Sequence, residues 1–140
     1  MPRSAVYKNI MRKKPNILLT DDEDTFRNIM AKELTRMGYN VVSCASGSET
    51  INTLHERDFD VVILDMNMPV MGGIETLKRV KEMEPTTEVI VLTGQGSIES
   101  AVQAIKSGAY DYLTKPCRLS ELDALLQKAL EKRQLNRENA

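Results

Sequence analysis

A chain of 140 residues with 41% hydrophobic and 28% charged side chains suits a single domain with its own core; it is too apolar for a disordered segment, and no run approaches the ~18 apolar residues of a membrane span. Two cysteines, Cys44 and Cys117, are too few for a disulfide framework or a zinc site and point to a reducing cytosol, and the N-terminus lacks the apolar stretch of a secretory signal. The net charge of −1 is unevenly spread: residues 1–14 carry five Lys/Arg and no acid, whereas residues 15–127 carry ten basic and eighteen acidic side chains, the reverse of a duplex-binding face.

In chain order, five short apolar runs alternate with longer amphipathic segments. The first run, Asn16–Thr20, precedes a helical stripe of Phe26, Ile29, Met30, Leu34 and Met37 that Gly38 is placed to end. The second, Asn40–Cys44, is followed by a helix from Gly47 to about Arg57 with Ile51 and Leu54 inward. The third and fourth, Asp60–Leu64 and Glu88–Leu92, are rich in Val and Ile, as in strands buried on both faces. Between them a helix runs from about Gly73 to Met83 and stops before Pro85. Ser97 is the expected N-cap of a fourth helix that buries Ile98, Ala101, Val102 and Ile105 and ends at Gly108. The fifth run, Ala109–Leu113, leads to a last helix from about Leu119, with Leu122, Leu126 and Ala129 inward. Residues 15–130 thus read as one domain, 1–14 as a flexible basic arm, and 131–140, where the apolar stripe lapses, as a helical end or linker.

This alternation predicts an α/β fold, (βα)5, with a doubly wound five-stranded parallel sheet and helices on both faces. In such sheets ligands sit at the carboxyl ends of the strands, near the switch in strand order. The first run leads into Asp21 and Asp22, the third into Asp65, the fourth into Thr93 and the fifth into Lys115. Crowded carboxylates need a cation or take up a proton. With only oxygen ligands available, a hard ion, Mg²⁺ or alternatively Mn²⁺, is favoured. Carboxylates, such a cation, a lysine and a hydroxyl together suit phosphoryl transfer, with Asp as a competent nucleophile.

The segments ILLTDDED (17–24), VVILDMNMPVMGG (61–73), VIVLTGQGS (89–97) and GAYDYLTKP (108–116), in this order and spacing, resemble the receiver domains of two-component response regulators, of the CheY type. The stretch from Gly94 to Pro116 and the tail ALEKRQLNREN are similar to the receivers of NtrC-type transcription activators. The resemblance implies a strand order of 2-1-3-4-5 and a cytoplasmic switch phosphorylated by a sensor histidine kinase. It implies that Asp65 is the phosphoacceptor and that Asp22, Asp65 and the backbone carbonyl of Asn67 bind Mg²⁺, with Asp21 orienting the metal. It further implies that Lys115 pairs with the phosphoryl group, that Thr93 bonds one of its oxygens, that Tyr112 is the switching aromatic, and that the Lys115–Pro116 bond is cis. The face made by the fourth helix, fifth strand and fifth helix would then change its partner, a second copy of the chain among the candidates. DNA binding would belong to a separate output domain, and no membrane contact is implied. Thr20 departs from the family, which usually has Val before the acidic pair.

Two other classes remain in view. In aspartyl phosphatases of the dehalogenase-like kind, a second Asp stands two residues after the nucleophile; Asn67 holds that position here and cannot relay a proton in that way. A receiver fold used only as a constitutive interaction module would be expected to have lost an acidic residue or the lysine. Taken singly, Asp21–Asp24 could be a helix-capping cluster and Tyr112 plain packing, and His55 reads as a surface residue without a role.

Overall fold

The computed structural model describes residues 14–138 except 69 and 95–97. All but the last residue of the basic arm, and the expected cap Ser97, lie outside the described residues. The elements are β1 (Asn16–Thr20), α1 (Asp24–Arg36), β2 (Asn40–Cys44), α2 (Gly47–Glu56), β3 (Val61–Asp65), α3 (Gly73–Met83), β4 (Glu88–Thr93), α4 (Ile98–Lys106), β5 (Asp111–Thr114) and α5 (Leu119–Glu138). The strands form one parallel sheet in the order β2-β1-β3-β4-β5.

The two-residue period of the strands splits the core into two layers. On one face Leu18, Val62, Leu64, Val89 and Val91 pack with Ile51 and Leu54 of α2, Leu77 and Val80 of α3, and Ala104 of α4. On the other, Ile17, Leu19, Val61, Ile63, Ile90 and Leu92 pack with Met30 and Leu34 of α1 and with Leu122, Leu126 and Ala129 of α5. Every residue of the central strands β3 and β4 is buried. This is why those two runs show no polar alternation.

Helix ends follow local chemistry. Ser46 accepts from the Glu49 amide while Glu49 reaches back to the Ala45 amide, a reciprocal cap for α2. Gly38 and Gly108 close α1 and α4 with φ of 105° and 108°, a region that penalises any side chain. The Ala109 amide is spent on the Ala104 carbonyl in that closure, so β5 starts at Asp111, two residues later than the hydropathy suggests. Asp60 sits just ahead of β3, with its amide on the Asn16 carbonyl and its carboxylate accepting from the Asn16 amide.

Two expectations about burial, in α1 and α4, are corrected. Ile29 and Met37 of α1 face solvent, leaving Met30 and Leu34 as the buried pair. In α4 the sheet-facing residues are Ala101 and Ala104, while Ile98, Val102 and Ile105 are exposed. Apolar residues occupy so much of that helix that periodicity alone cannot choose a face, and the small side chains are the ones turned to the sheet. At the C-terminus the helix continues to Glu138, and its last inward position is a buried arginine, Arg133, bonded to Asp60 and Thr86.

Candidate functional site

Because all five strands are parallel, the residues that follow them collect along one edge of the sheet. The crevice there opens between β1 and β3, where the chain order reverses. β1 delivers Asp21 and Asp22, β3 delivers Asp65, β4 ends on Thr93, and Lys115 follows β5. Asp21 and Asp65 are buried and Asp22 is exposed, yet carboxylate oxygens of the three lie within 4.8 Å of one another.

Backbone amides hold two of these carboxylates. Asp21 Oδ1 accepts from the Glu23 amide at 2.8 Å, and Asp65 Oδ1 accepts from the Asn67 amide at 3.1 Å. The strand pairing continues past both residues, with the Asp21 amide on the Cys44 carbonyl and the Met66 amide on the Leu92 carbonyl. Thr20, just before the acidic pair, is fully buried, and its hydroxyl meets that of Thr50 at 2.6 Å. Thr50 in turn donates to the Ser46 carbonyl at 2.9 Å, so Thr20 is left as the donor in the pair.

Lys115 Nζ lies 2.5 Å from Asp21 Oδ2 and 3.9 Å from Asp65 Oδ2. One ammonium against three carboxyl groups leaves the cluster short of positive charge. Burial, with the added repulsion of Asp21 and contact with Asp22, pushes the Asp65 carboxyl up to about 6, against the opposing pull of the Asn67 amide and Lys115. Burial works to lower the Lys115 ammonium, but its hydrogen bond to Asp21 and the charge of Asp65 outweigh that and hold it above the ordinary lysine value. Oxygen donors alone, crowded and under-neutralised, fit a hard divalent cation better than a soft one.

Thr93 is buried, and among the described residues its hydroxyl reaches only the Leu113 carbonyl at 3.5 Å, the outer limit of a hydrogen bond. Its own carbonyl accepts from the Lys115 amide at 2.7 Å, which ties the two residues together across β4 and β5. The Lys115–Pro116 peptide bond is cis. The structure therefore brings Asp21, Asp22, Asp65, Thr93 and Lys115 to one edge, with Asn67 beside Asp65. Tyr112 is partly exposed and is not part of that group. His55 is on the exposed side of α2.

Two residues at the site were not singled out from sequence. Arg27 donates to the Asp21 carbonyl at 2.7 Å and pairs with Asp24. Phe26 presents its ring to Lys115, with Nζ 4.3 Å from the ring centroid. The available signal was position: both lie in the first turn of a helix that starts two residues after the acidic pair.

Among the described residues, no helix is long and apolar enough to cross a membrane. A family profile described as "Response regulator receiver domain" matches residues 17–127. The transcriptional regulatory protein ZraR of Escherichia coli O157:H7 is 42% identical over 115 residues, covering 82% of this chain and 26% of that protein. The chain thus spans about a quarter of the length of this curated relative. Among solved structures, NtrX from Brucella abortus in complex with ADP aligns with a TM-score of 0.86 and 30% identity, over 90% of this chain and 29% of its own. A response regulator receiver domain protein from Clostridium thermocellum aligns at 0.83 and 34% identity, over 86% and 98%. A parallel 2-1-3-4-5 sheet with this acidic edge, matched along 17–127, places the chain in the response regulator receiver domain family, among relatives that include transcriptional regulators of the NtrC type.

Proposed function

We propose that this domain is a phosphorylation switch in which Asp65 accepts a phosphoryl group from a sensor histidine kinase. The observation that carries the reading is the buried Asp65, set beside two further carboxylates and a lysine at the carboxyl edge of the sheet. A carboxylate oxygen of Asp65 attacks phosphorus, the bond from phosphorus to the donor nitrogen breaks, and the electron pair leaves with the donor imidazole. Asp21, Asp22, Asp65 and the Asn67 carbonyl would hold Mg²⁺, which when bound neutralises charge on the phosphoryl oxygens. Lys115 supplies a positive charge to the same oxygens, and the hydroxyl of Thr93 donates to one of them. The same groups permit one phosphorylation per cycle and slow hydrolysis.

Phosphorylation adds charge and acceptor oxygens at Thr93 and Lys115, and so favours whichever packing of α4, β5 and α5 satisfies them. Tyr112 lies on β5 three residues before Lys115 and is the candidate reporter of that shift. The face it shares is apolar for an exposed surface: Ile98 is 74%, Val102 47%, Ile105 43% and Tyr112 42% exposed. That supports a partner there, a second copy of the chain included. In this reading residues 15–130 are the receiver, 1–14 a basic arm and 131–140 a helical end or linker. The setting is cytoplasmic, and an NtrC-type output, not this segment, contacts DNA. The test is intact-mass measurement after incubation with acetyl phosphate, with and without Mg²⁺, on wild type and Asp65→Asn, followed by size-exclusion chromatography. One Mg²⁺-dependent phosphoryl group, absent from the variant, is expected; a phosphoryl group retained in Asp65→Asn would sink the assignment.

A further inference from the structure

We infer that Phe26 is a positioning residue for Lys115, holding the ammonium in the site by its ring face while the lysine changes carboxylate partners. The inference rests on the phosphoacceptor reading of Asp65 and deepens it. Its basis is a three-way contact: Lys115 Nζ is 2.5 Å from Asp21 Oδ2, 3.9 Å from Asp65 Oδ2 and 4.3 Å from the centre of the Phe26 ring. The lysine is thus engaged with Asp21, the carboxylate it must release if Asp21 helps to hold a cation, and stands off from Asp65, where a phosphoryl group would arrive.

The handover creates a problem that the ring solves. A divalent cation near Asp21 competes directly with the ammonium for the same oxygen and repels it as a like charge. The lysine side chain is 22% exposed, so a route into solvent is open. A lysine that swings out must then pay rotamer entropy to return. The Phe26 ring attracts the ammonium through its negative face but offers no oxygen to a hard cation. It therefore keeps its hold on the lysine at the moment when Asp21 gives it up. The N–H donors on the side away from the ring stay available to phosphoryl oxygens.

The ring is well anchored for this task. Phe26 lies in the first turn of α1, is partly buried, and packs against the core layer that contains Met30, Leu34 and Leu122. The turn is fixed by Arg27, which binds the Asp21 carbonyl and Asp24. An aliphatic residue of similar volume would fill the same space in the core but would present no quadrupole to the ammonium.

The experiment compares wild type with Phe26→Met and Phe26→Tyr, both as full chains. Two readouts are taken: the rate of phosphoryl uptake from acetyl phosphate with Mg²⁺, by intact mass, and the proton shifts of the Lys115 εCH₂ group by NMR, with and without Mg²⁺. In wild type the ring should shift the εCH₂ protons upfield, and the shift should survive Mg²⁺ addition. Phe26→Tyr should keep the shift and the rate to within about twofold, whereas Phe26→Met should lose the shift and slow uptake by roughly threefold to tenfold, the range open to a partly solvated cation–π contact. A Phe26→Met protein as fast as wild type, or a Phe26→Tyr protein as slow as Phe26→Met, overturns the inference. So does a wild-type shift that vanishes when Mg²⁺ is added, an outcome that needs no variant to fold. A wild type that takes up no phosphoryl group at all removes the phosphoacceptor reading, and this one with it; a phosphorylated wild type beside an equally fast Phe26→Met removes this one alone.

Discussion

β3 begins after one aspartate and ends on another, and the two are treated in opposite ways. Asp60, at the amino edge of the sheet, receives the Asn16 amide at 2.8 Å and the Arg133 guanidinium at 3.0 Å. Arg133 spends a second nitrogen on Thr86 at 2.7 Å. β4 repeats the pattern: at the same edge Glu88 is buried between Lys81 at 3.5 Å and Lys132 at 3.2 Å. At the carboxyl edge Asp65 shares one lysine with Asp21 and Asp22, and its carboxyl is pushed up to about 6. One edge matches its acids with bases; the other gathers acids in excess and keeps them close. The central strands, buried along their whole length, hold the second arrangement in place although it opposes folding. A structural site would be neutralised like the first edge; a site that awaits a cation and a phosphoryl group looks like the second.

Breaking the neutral edge should give the largest effect. Arg133→Ala removes the partner of Asp60 and Thr86 and the packing of a buried stem, for an expected loss of about 2–3 kcal/mol, below the full cost of breaking a buried pair because the Asp60 side chain is 26% exposed. Urea unfolding measures this, and Mg²⁺ affinity should be unchanged because the variant lies at the far edge. Asp65→Asn should act in the opposite direction. A carboxyl raised from the usual range near 4 to about 6 contributes stability at pH values below its unfolded value, and that stability is lost as pH rises through 6. In EDTA at pH 7.5 the variant should therefore exceed wild type by on the order of 2 kcal/mol. The advantage should shrink toward zero as pH falls to about 4, and Mg²⁺ should reduce it by stabilising wild type. Equal stabilities across that range would mean that the carboxyl edge carries no excess charge.

The sequence displayed the second edge more openly than the first. Each acidic or hydroxyl residue there ends an apolar run, so the alternation of strands and helices alone predicts that Asp22, Asp65, Thr93 and Lys115 meet. Asp60 and Arg133 are 73 residues apart, and nothing in either neighbourhood announces the pair. Arg133 was hidden because it occupies an inward helical position where the pattern leads one to look for a leucine. The α4 face failed for the complementary reason, since Ile98, Val102 and Ile105 compete with Ala101 and Ala104 for the interior and only packing decides. Phe26 was legible as a core residue but not as a neighbour of Lys115, because the contact depends on how far the lysine that follows β5 reaches back toward Asp21 and the first turn of α1.

A smaller effect tests whether the excess at the carboxyl edge is confined to charge. Thr20 directly precedes Asp21 and is fully buried with Thr50. The hydrogen bonds run one way, from Thr20 to Thr50 to the Ser46 carbonyl. Thr50→Val strips from the Thr20 hydroxyl its one acceptor among the described residues and should cost about 1–3 kcal/mol, while Thr20→Val leaves Thr50 still donating and should cost less than about 1. Thermal unfolding of the two single variants and the double variant measures the asymmetry. Equal losses from both would show that packing, not hydrogen bonding, holds this pair, and that the neutral groups below the acidic cluster are also poorly satisfied.

The smallest effect concerns backbone rather than charge, and it divides the two edges again. Among the described residues, three adopt positive φ. Gly38 and Gly108, in the turns that lead into β2 and β5 at the amino edge, are glycines and bear that geometry at no steric cost. Val70, in the loop that follows Asp65, has φ of 66° and is fully exposed, so a β-branched residue holds a left-handed conformation without any packing to offset it. Val70→Gly gives up no buried contact and relieves the clash of the side chain with its own backbone, while the added freedom of the unfolded chain takes back part of the gain. The net expectation is a stabilisation of about 0.5–1 kcal/mol, seen as a rise of a few degrees in the melting temperature. Gly38→Ala should do the reverse by a similar amount, and purely through φ, since nothing lies within 4 Å of the added carbon. If Val70→Gly is neutral while Gly38→Ala is costly, the loop after Asp65 already samples other conformations in solution, and the tension at the carboxyl edge is held by its carboxylates alone.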